Sequence, residues 1–533
     1  MVFRWFMVVA VFVGLEVSTV GRVLGTERRE ASMGSTGSMG STGLFVEAER
    51  LTSAGEVLVE WASRARFHGL DTSRQPALPS LAPANQGASA ADRALNAAPG
   101  AAATALHEQL VWLLAELPPR PREVAILKDP DVPYYASPDQ TWRTASPPTA
   151  TPEAVEQALN AARGGRLAEH LDSLLPKHPQ YRRLVSAAEK YATLCEAGLP
   201  DVPRPPLKRG EPRRAKFKQP TGDYALALER RLVAEGFLAP EGATGHFEQA
   251  AQDAFAKWLA SRQLPEPRGL LMEDLHRALA TPCDSLVDTL TLNVRRWRHS
   301  AWRGEATFVE VNIAAQELRY VRDHELVMRQ RTIVGATHWY QDKDLDRRFN
   351  TRSTPILSHQ ISRIVINPTW AVPPSIARRV IEKELAKDPE YLVKNRIKAV
   401  TSKRGTTYIQ DPGEDNALGV IKILFPNEES IYLHDTPKKN AFKLAVRALS
   451  HGCVRVQNAL ELGLALLEAD AAKSGTELDS EHLRRRAGRG GPIPFELAVT
   501  VPVFLEYYTA SVDDAGLVRF HPDIYAYDAA LAR

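Results

Sequence analysis

At about residue 286 the hydrophobic period of this 533-residue chain changes, and that change sets what the chain can fold into. Helices repeat a buried face every 3.6 residues and strands every second residue, so the period separates two kinds of architecture. Before the switch, "FVEAERLTSAGEVLVEWASRARFHGL" (45–70) carries apolar residues at helical spacing. Residues 153–198 read as two or three amphipathic helices broken at Pro176 and Pro179. Residues 221–282 read as a compact helical unit: "YALALERRLVAEGFL" (224–238), a break at "GATGHF" (242–247), then "EQAAQDAFAKWLASRQL" (248–264). "TLTLNVRRWRH" (289–299) is expected to be a helix leading into β-rich sequence. Beyond it, residues 308–335 alternate apolar and polar side chains in two or three antiparallel strands. Further strands are expected within 359–370, 419–426, 430–435 and 495–513. The reading is a multidomain α+β protein, helical first and mostly β afterwards, too long for one core.

The flanks and joints carry separate signals. Arg4 precedes the uncharged apolar run "WFMVVAVFVGL" (5–15), of signal-peptide length and too short to span a bilayer. Residues 1–25 are therefore expected to be a signal peptide, cleaved after Gly25, or an uncleaved N-terminal membrane anchor, because no A-x-A site is present and Glu16 interrupts the run. The duplicated "SMGSTGSMGSTG" (32–43) makes residues 26–43 a flexible Gly/Ser linker. Residues 44–200 are expected to be helical, with low-complexity sequence at 71–105 and many prolines at 117–152. "RPPLKRGEPRRAKFK" (204–218) reads as a solvated interdomain linker, with contact to an anionic polymer as the alternative. A net charge of +3 over this length gives no case for nucleic-acid binding.

Three cysteines, Cys195, Cys283 and Cys453, are too few and too scattered for a disulfide-built domain, and at least one must be free. Cys195 sits in helical-looking "YATLCEAG" and reads as a buried small side chain; Cys283 reads as a plain loop residue. Cys453 lies in "SHGCVR" (450–455), one segment after "IYLHDTP" (431–437). The runs "LGVIKILFP" and "SIYLHD", separated by "NEE", suggest a hairpin that puts His434 at a strand end. A thiol needs a base to become a nucleophile, and an imidazole can take its proton and pair with the thiolate. Asp435 or a nearby backbone carbonyl would orient that imidazole. "NALE" (458–461) resembles a capping box with Asn458 as N-cap, so the next helix starts too late to activate the sulfur. Gly452 allows the amides of Gly452 and Cys453 to face a developing oxyanion. His451 would line the same pocket. Arg455 would bind a substrate carboxylate or, as the preferred reading, brace the loop. His434, His451 and Cys453 as zinc ligands is the weaker alternative, since the chain offers no paired C-x-x-C and no H-E-x-x-H.

The runs "LHDTP" and "SHGCVR" closely resemble the signature of the L,D-transpeptidases with a YkuD-type catalytic domain. "INPTWAVPPSIA" (366–377), "NALGVIKILFPN" (416–427) and "YYTASVDDAGLVRFHPDIY" (507–525) extend the resemblance to the scaffold-bearing, YcbB-like branch. Residues 221–282 are similar to the three-helix peptidoglycan-binding module, although "PEPRGLLMEDL" (265–275) replaces its usual second turn. The resemblance implies a catalytic domain over 305–525 with a lid at about 377–415. It also implies an exported bacterial enzyme, at the cell envelope or in the periplasm. Such an enzyme needs no cofactor or metal and acts on peptidoglycan stem peptides and glycan. Cys453 would attack the bond between diaminopimelate and the terminal D-alanine of a tetrapeptide stem, with His434 as base. A second stem's amine would resolve the thioester into a 3→3 crosslink. Gly452, Cys453, His451, Arg455 and Asp435 would support this chemistry, and Tyr432 and Trp370 would line the groove. The sequence departs from the family in three places: a longer connection at 337–354, a basic insertion "LRRRAGRGG" (483–491), and a lid region lacking an obvious apolar core. L,D-carboxypeptidase activity or attachment of a protein amine are close variants. A non-catalytic wall-binding protein is a further alternative, and a papain-like peptidase is disfavoured by the absence of "CGSCW".

Overall fold

The computed structural model describes residues 44, 46–47, 50–70, 72, 75–76, 99–118, 127–129, 132–135, 149–204, 216–302, 304–337, 339–342, 347–350, 352–402 and 405–528. The expected signal or anchor at 1–25, the linker at 26–43 and most of the joint at 204–218 lie outside the described residues. The chain divides into two units, residues 1–120 with 145–177 and residues 121–144 with 178–533. No helix among the described residues is long and apolar enough to cross a membrane.

The first unit is helical: α1 (Ser53–Arg64), α2 (Pro99–Glu116), α3 (Pro152–Arg163) and α4 (Leu167–Ser173). Thr52 and Thr151 cap α1 and α3, each side chain accepting a backbone N–H at 3.2 Å, and Pro152 opens α3 where its missing donor costs nothing. Leu58, Leu110, Leu113 and Leu171 are fully buried, which is how the amphipathic faces of these helices hold together.

The second unit begins with α5 (Pro179–Ala197), whose N-cap is His178. Next come α6 (Gly222–Ala234), α7 (Gln249–Ser261) and α8 (Met272–Leu279), packed on a core that includes Leu228, Leu232, Phe247, Phe255, Trp258 and Leu275. In the break after α6, the Glu229 carboxylate accepts the amides of Gly245 at 2.6 Å and Phe247 at 2.7 Å. The buried Glu235 accepts from Tyr191 of α5, Arg231, Trp258 and Arg262, so the three-helix unit is bonded to α5 through one carboxylate. The sequence reading of two cysteines is corrected here. Cys195, near the end of α5, and Cys283, the first residue of α9 (Cys283–Arg298), form a disulfide with α-carbons 5.5 Å apart. Helical periodicity identifies a buried face but not its partner, and these partners stand 88 residues apart.

Nine strands follow α9 in one sheet. They are β1 (Phe308–Asn312), β2 (Glu317–Arg322), β3 (Glu325–Gly335), β4 (Leu357–Ile366), β8 (Ile421–Leu424), β9 (Leu433–His434), β10 (Ala448–Ser450), β11 (Val454–Val456) and β12 (Ile493–Glu506); β5 to β7 belong to a separate sheet described below. Their order is β10-β3-β11-β9-β8-β4-β12-β1-β2, and β2 also pairs with β3, so eight strands close a ring. The core inside this sheet collects Val309, Ile364, Ile423, Leu433, Val454 and Val456 with Leu462 and Leu466 of α10 (Ala459–Ser474). Asn458 is the N-cap of α10 but its side chain makes no capping bond, which corrects the expected capping box.

Between β4 and β8 lies a small layer of its own. β5 (Trp370–Ala371), β6 (Ile397–Ser402) and β7 (Gly405–Gln410) form a three-stranded antiparallel sheet in the order β5-β7-β6. Short helical segments run from Pro374 to Lys394 beside it. Contrary to the sequence reading, this region has an apolar core: Val372, Ala377, Ile381, Ile397 and Tyr408, with Trp370, Ile376, Tyr391 and Leu392 against it. Each short element contributes one or two of these residues, so no period marks them. The basic insertion at 483–491 forms the end of helix α11 (Ser480–Arg486) and a turn whose backbone is held by Asn367, which bonds Arg486 O, Arg489 O and Gly488 N at 2.7–3.0 Å.

Candidate active site

Pairing register builds the site. β9 and β11 run parallel, with Leu433 beside Val454 and His434 beside Arg455. The pairing continues one residue back, where the Val454 amide donates to the Tyr432 carbonyl at 3.2 Å. On the other side of β9, β8 runs antiparallel with Lys422 opposite His434 and Ile423 opposite Leu433. Side chains alternate between faces along a strand. Ile423, Leu433 and Val454 therefore enter the core, while Lys422, Tyr432, His434, Cys453 and Arg455 share the opposite face. The hairpin of β8 and β9 matches the expectation from the sequence, and His434 is its last strand residue.

Cys453 is the one free cysteine and is half-buried. Its Sγ–H donates to the Ser430 carbonyl at 3.7 Å, and the Tyr432 hydroxyl also bonds the sulfur. Tyr432 in turn hydrogen-bonds Trp370 of β5, and the Lys422 Nζ lies 4.0 Å from the centre of its ring. His434 stands diagonally from Cys453, about 8 Å between α-carbons given strand spacing near 4.8 Å and a rise of about 3.3 Å per residue. Among the described residues no hydrogen bond joins the two. Catalytic bonds in an unliganded site are often this loose and close only on substrate.

His434 Nδ1 lies 2.5 Å from the carbonyl oxygen of Asp435. A carbonyl can only accept, so Nδ1 carries the ring proton and Nε2 keeps the lone pair a base needs. Of the two orienting groups open in the sequence, it is the Asp435 carbonyl that faces Nδ1, and the Leu418 carbonyl also acts on the ring. The Asp435 carboxylate instead accepts the Val420 amide at 3.1 Å and pairs with Lys439.

Burial pushes the Cys453 thiol up from its ordinary range, against the opposing pull of Tyr432, Lys422 and Arg455. Burial, with Arg455 and Lys422 nearby, brings His434 down to about 3. The resting pair is thus a neutral thiol and a neutral imidazole. Burial and the two nearby cations thus weigh against the expected thiolate–imidazolium pair in the resting site, because a third positive charge there is disfavoured. Burial also lowers Lys422, and Arg363 adds to the effect.

Two further expectations change. The Gly452 amide donates to Ser450 Oγ at 3.1 Å, so it is occupied rather than open to an oxyanion, while Ser450 Oγ donates to the Cys453 carbonyl at 2.6 Å. Among the described residues Arg455 makes no hydrogen bond to a loop carbonyl and its buried Nε lacks a partner, while its charge is felt by Cys453 and His434. His451, next to the turn, is exposed. Sequence reasoning missed Lys422, Ser450 and the Ser430 carbonyl. Only Lys422 left a signal, as a lone cation in the apolar run "VIKIL".

The family model described as the L,D-transpeptidase catalytic domain, YkuD, matches residues 306–468, and that of a Scaffold domain matches residues 39–187. A protein of Haemophilus influenzae named as a putative L,D-transpeptidase is 29% identical over 261 residues, 46% of this chain and 49% of that protein. The chain thus spans about half the length of that relative. Solved L,D-transpeptidases from Xylanimonas cellulosilytica and Stackebrandtia nassauensis are 16% and 14% identical, with TM-scores of 0.19 and 0.22. These matches cover 57% and 56% of this chain and 100% and 98% of those chains. By these matches the chain carries an L,D-transpeptidase catalytic domain of the YkuD type over residues 306–468, behind a Scaffold domain over residues 39–187.

Proposed function

We propose that the protein is a peptidoglycan L,D-transpeptidase that forms 3→3 crosslinks through a thioester on Cys453. The observation that carries the reading is the register that sets Cys453 and His434 on one face of adjacent strands, with the Asp435 carbonyl holding the imidazole in the tautomer that leaves Nε2 basic. The thiol proton passes to Nε2 as sulfur attacks the donor carbonyl carbon. A C–S bond forms and the C=O π pair moves onto oxygen. Collapse restores C=O and breaks the C–N bond, and the departing D-alanine amine takes the proton from His434. The acceptor stem's amine then attacks the thioester, His434 takes its proton, and the thiol leaves reprotonated. Arg455 and Lys422 stabilise the charge that sulfur and oxygen carry in transit, and Trp370 and Tyr432 line the groove where the stem lies. The disulfide between Cys195 and Cys283 favours an oxidising compartment, consistent with work on the cell wall outside the cytoplasm.

Intact mass after incubation with a tetrapeptide muropeptide tests the reading. One acyl adduct with loss of alanine is expected, absent in Cys453→Ala and slowed by about 10²–10⁴-fold in His434→Ala, the usual worth of a general base. An adduct that persists in Cys453→Ala rejects the assignment. Product mass with an acceptor stem present separates crosslinking from hydrolysis.

A further inference from the structure

We infer that Thr354 is a positioning residue that aims the Cys453 amide at the oxygen where charge develops. The inference rests on the acyl-transfer reading of Cys453. Thr354 is fully buried and lies just before β4, about a hundred residues from the nucleophile in sequence and outside both signature runs. Its Oγ1–H donates to the Gly452 carbonyl at 2.6 Å, and the same oxygen accepts the Gly335 amide at 2.9 Å. Its own amide donates to the Tyr525 hydroxyl at 3.0 Å, and that hydroxyl donates to the Gly335 carbonyl at 2.7 Å. One residue thus ties the end of β3 and the nucleophile turn together through its hydroxyl, and the C-terminal segment through its amide.

The consequence follows from peptide geometry. A trans peptide is planar, with its carbonyl and the next N–H pointing in opposite directions. Holding the Gly452 carbonyl therefore fixes where the Cys453 N–H points. The amide before it is already taken by Ser450, whereas the Cys453 amide has no hydrogen-bond partner among the described residues and can serve an oxyanion. Gly452 has φ of +124°, a region only glycine visits cheaply, so its flanking peptide plane needs an external hold. Gly335 is required for the approach: a Cβ there would lie 2.0 Å from the Arg352 carbonyl oxygen. Removing the Thr354 hydroxyl frees the Gly452–Cys453 plane to rotate and leaves two buried backbone groups without their partner.

Two reactions at the same sulfur separate this role from simple support of the fold. Acylation by a carbapenem places negative charge on an oxygen, whereas alkylation by iodoacetamide places none. In Thr354→Val, carbapenem acylation followed by intact mass is expected to slow by about 10- to 100-fold, up to the loss seen when an oxyanion donor is deleted. Iodoacetamide alkylation of Cys453 is expected to keep the wild-type rate. Thr354→Ser, which keeps the hydroxyl, is expected to restore acylation. Equal slowing of both reactions, or wild-type acylation in Thr354→Val, overturns the inference and leaves the acyl-transfer reading intact. A wild-type protein that alkylates at Cys453 but takes no acyl group overturns the acyl-transfer reading itself.

Discussion

At the scale of single residues, the site holds a thiol that burial keeps protonated and an imidazole that burial and two cations keep neutral. Reactivity toward an alkylating agent should then track titration of the thiol alone. Because the thiol is pushed up, the thiolate fraction is small at neutral pH and rises only as pH passes above the ordinary thiol range. The rate of iodoacetamide alkylation is expected to climb from pH 7 to beyond pH 9 without a plateau at low pH. A resting ion pair would instead show that plateau near pH 5–6, which would exclude the neutral pair. Lys422 is the nearby cation set directly across β9, and it favours the thiolate. Lys422→Met should lower the alkylation rate at pH 8, by about tenfold at most for a half-screened charge. No change would mean that the Lys422 charge is spent elsewhere.

At the scale of elements, the layer formed by β5, β6 and β7 depends on few side chains. Ile381 is 2% exposed and sits in a core of five buried residues. Ile381→Ala should cost that layer about 2–5 kcal/mol, the usual range for such truncations. Its effect should stay local: faster hydrogen exchange over 372–411, and a rise in KM larger than the fall in kcat. Exchange unchanged in that stretch would show that the layer does not depend on this core. Its near-invisibility in the sequence has a physical reason. Long elements with a steady period, such as α5, α9 and β12, announce themselves, because one face must be buried along their whole length. The β8–β9 hairpin was legible for the same reason, through alternation in "VIKIL" and the turn after it. Ile381, Ile397 and Tyr408 come from three short pieces, and no period joins them. The site divides likewise. Cys453, His434 and Gly452 were readable because a thiol, a base and a flexible turn fall within twenty residues, about the reach of two strands and a connection. Thr354, Lys422 and the choice of carbonyl over carboxylate at Asp435 arise only when distant strands pair, and no local pattern records such pairing.

At the scale of the whole molecule, three histidines in the second unit share one condition. His178 caps α5 and stacks on Trp297 with ring centres 4.0 Å apart, His434 lies in the candidate site, and His521 bonds Ser511 Oγ at 2.9 Å. Burial holds all three at about 3, helped by Arg319 and Arg183 at His178, by Arg455 at His434 and by Arg519 at His521. In the unfolded chain each titrates near 6.5. Between these values the unfolded state binds more protons than the folded one, so stability rises with pH across the window and falls as pH drops from 6.5 toward 3. Each fully buried histidine contributes a slope of up to about 1.4 kcal/mol per pH unit there. Glu235 acts in the same direction lower down. Burial alone would raise it, but Arg262 and Arg231 bring it to about 2, so its contribution is lost as pH falls below the ordinary carboxylate value. Glu310 and Asp523, both raised by burial, oppose them, but the three histidines carry the larger part of the window between 6.5 and 3. The urea midpoint of unfolding is therefore expected to fall steadily at pH 7, 6, 5 and 4. His521→Gln, which cannot take up a proton, should flatten that decline by roughly one histidine's share even if its stability at pH 7 is lower. A midpoint that holds steady or rises on acidification would mean that these rings gain protons without leaving their sites.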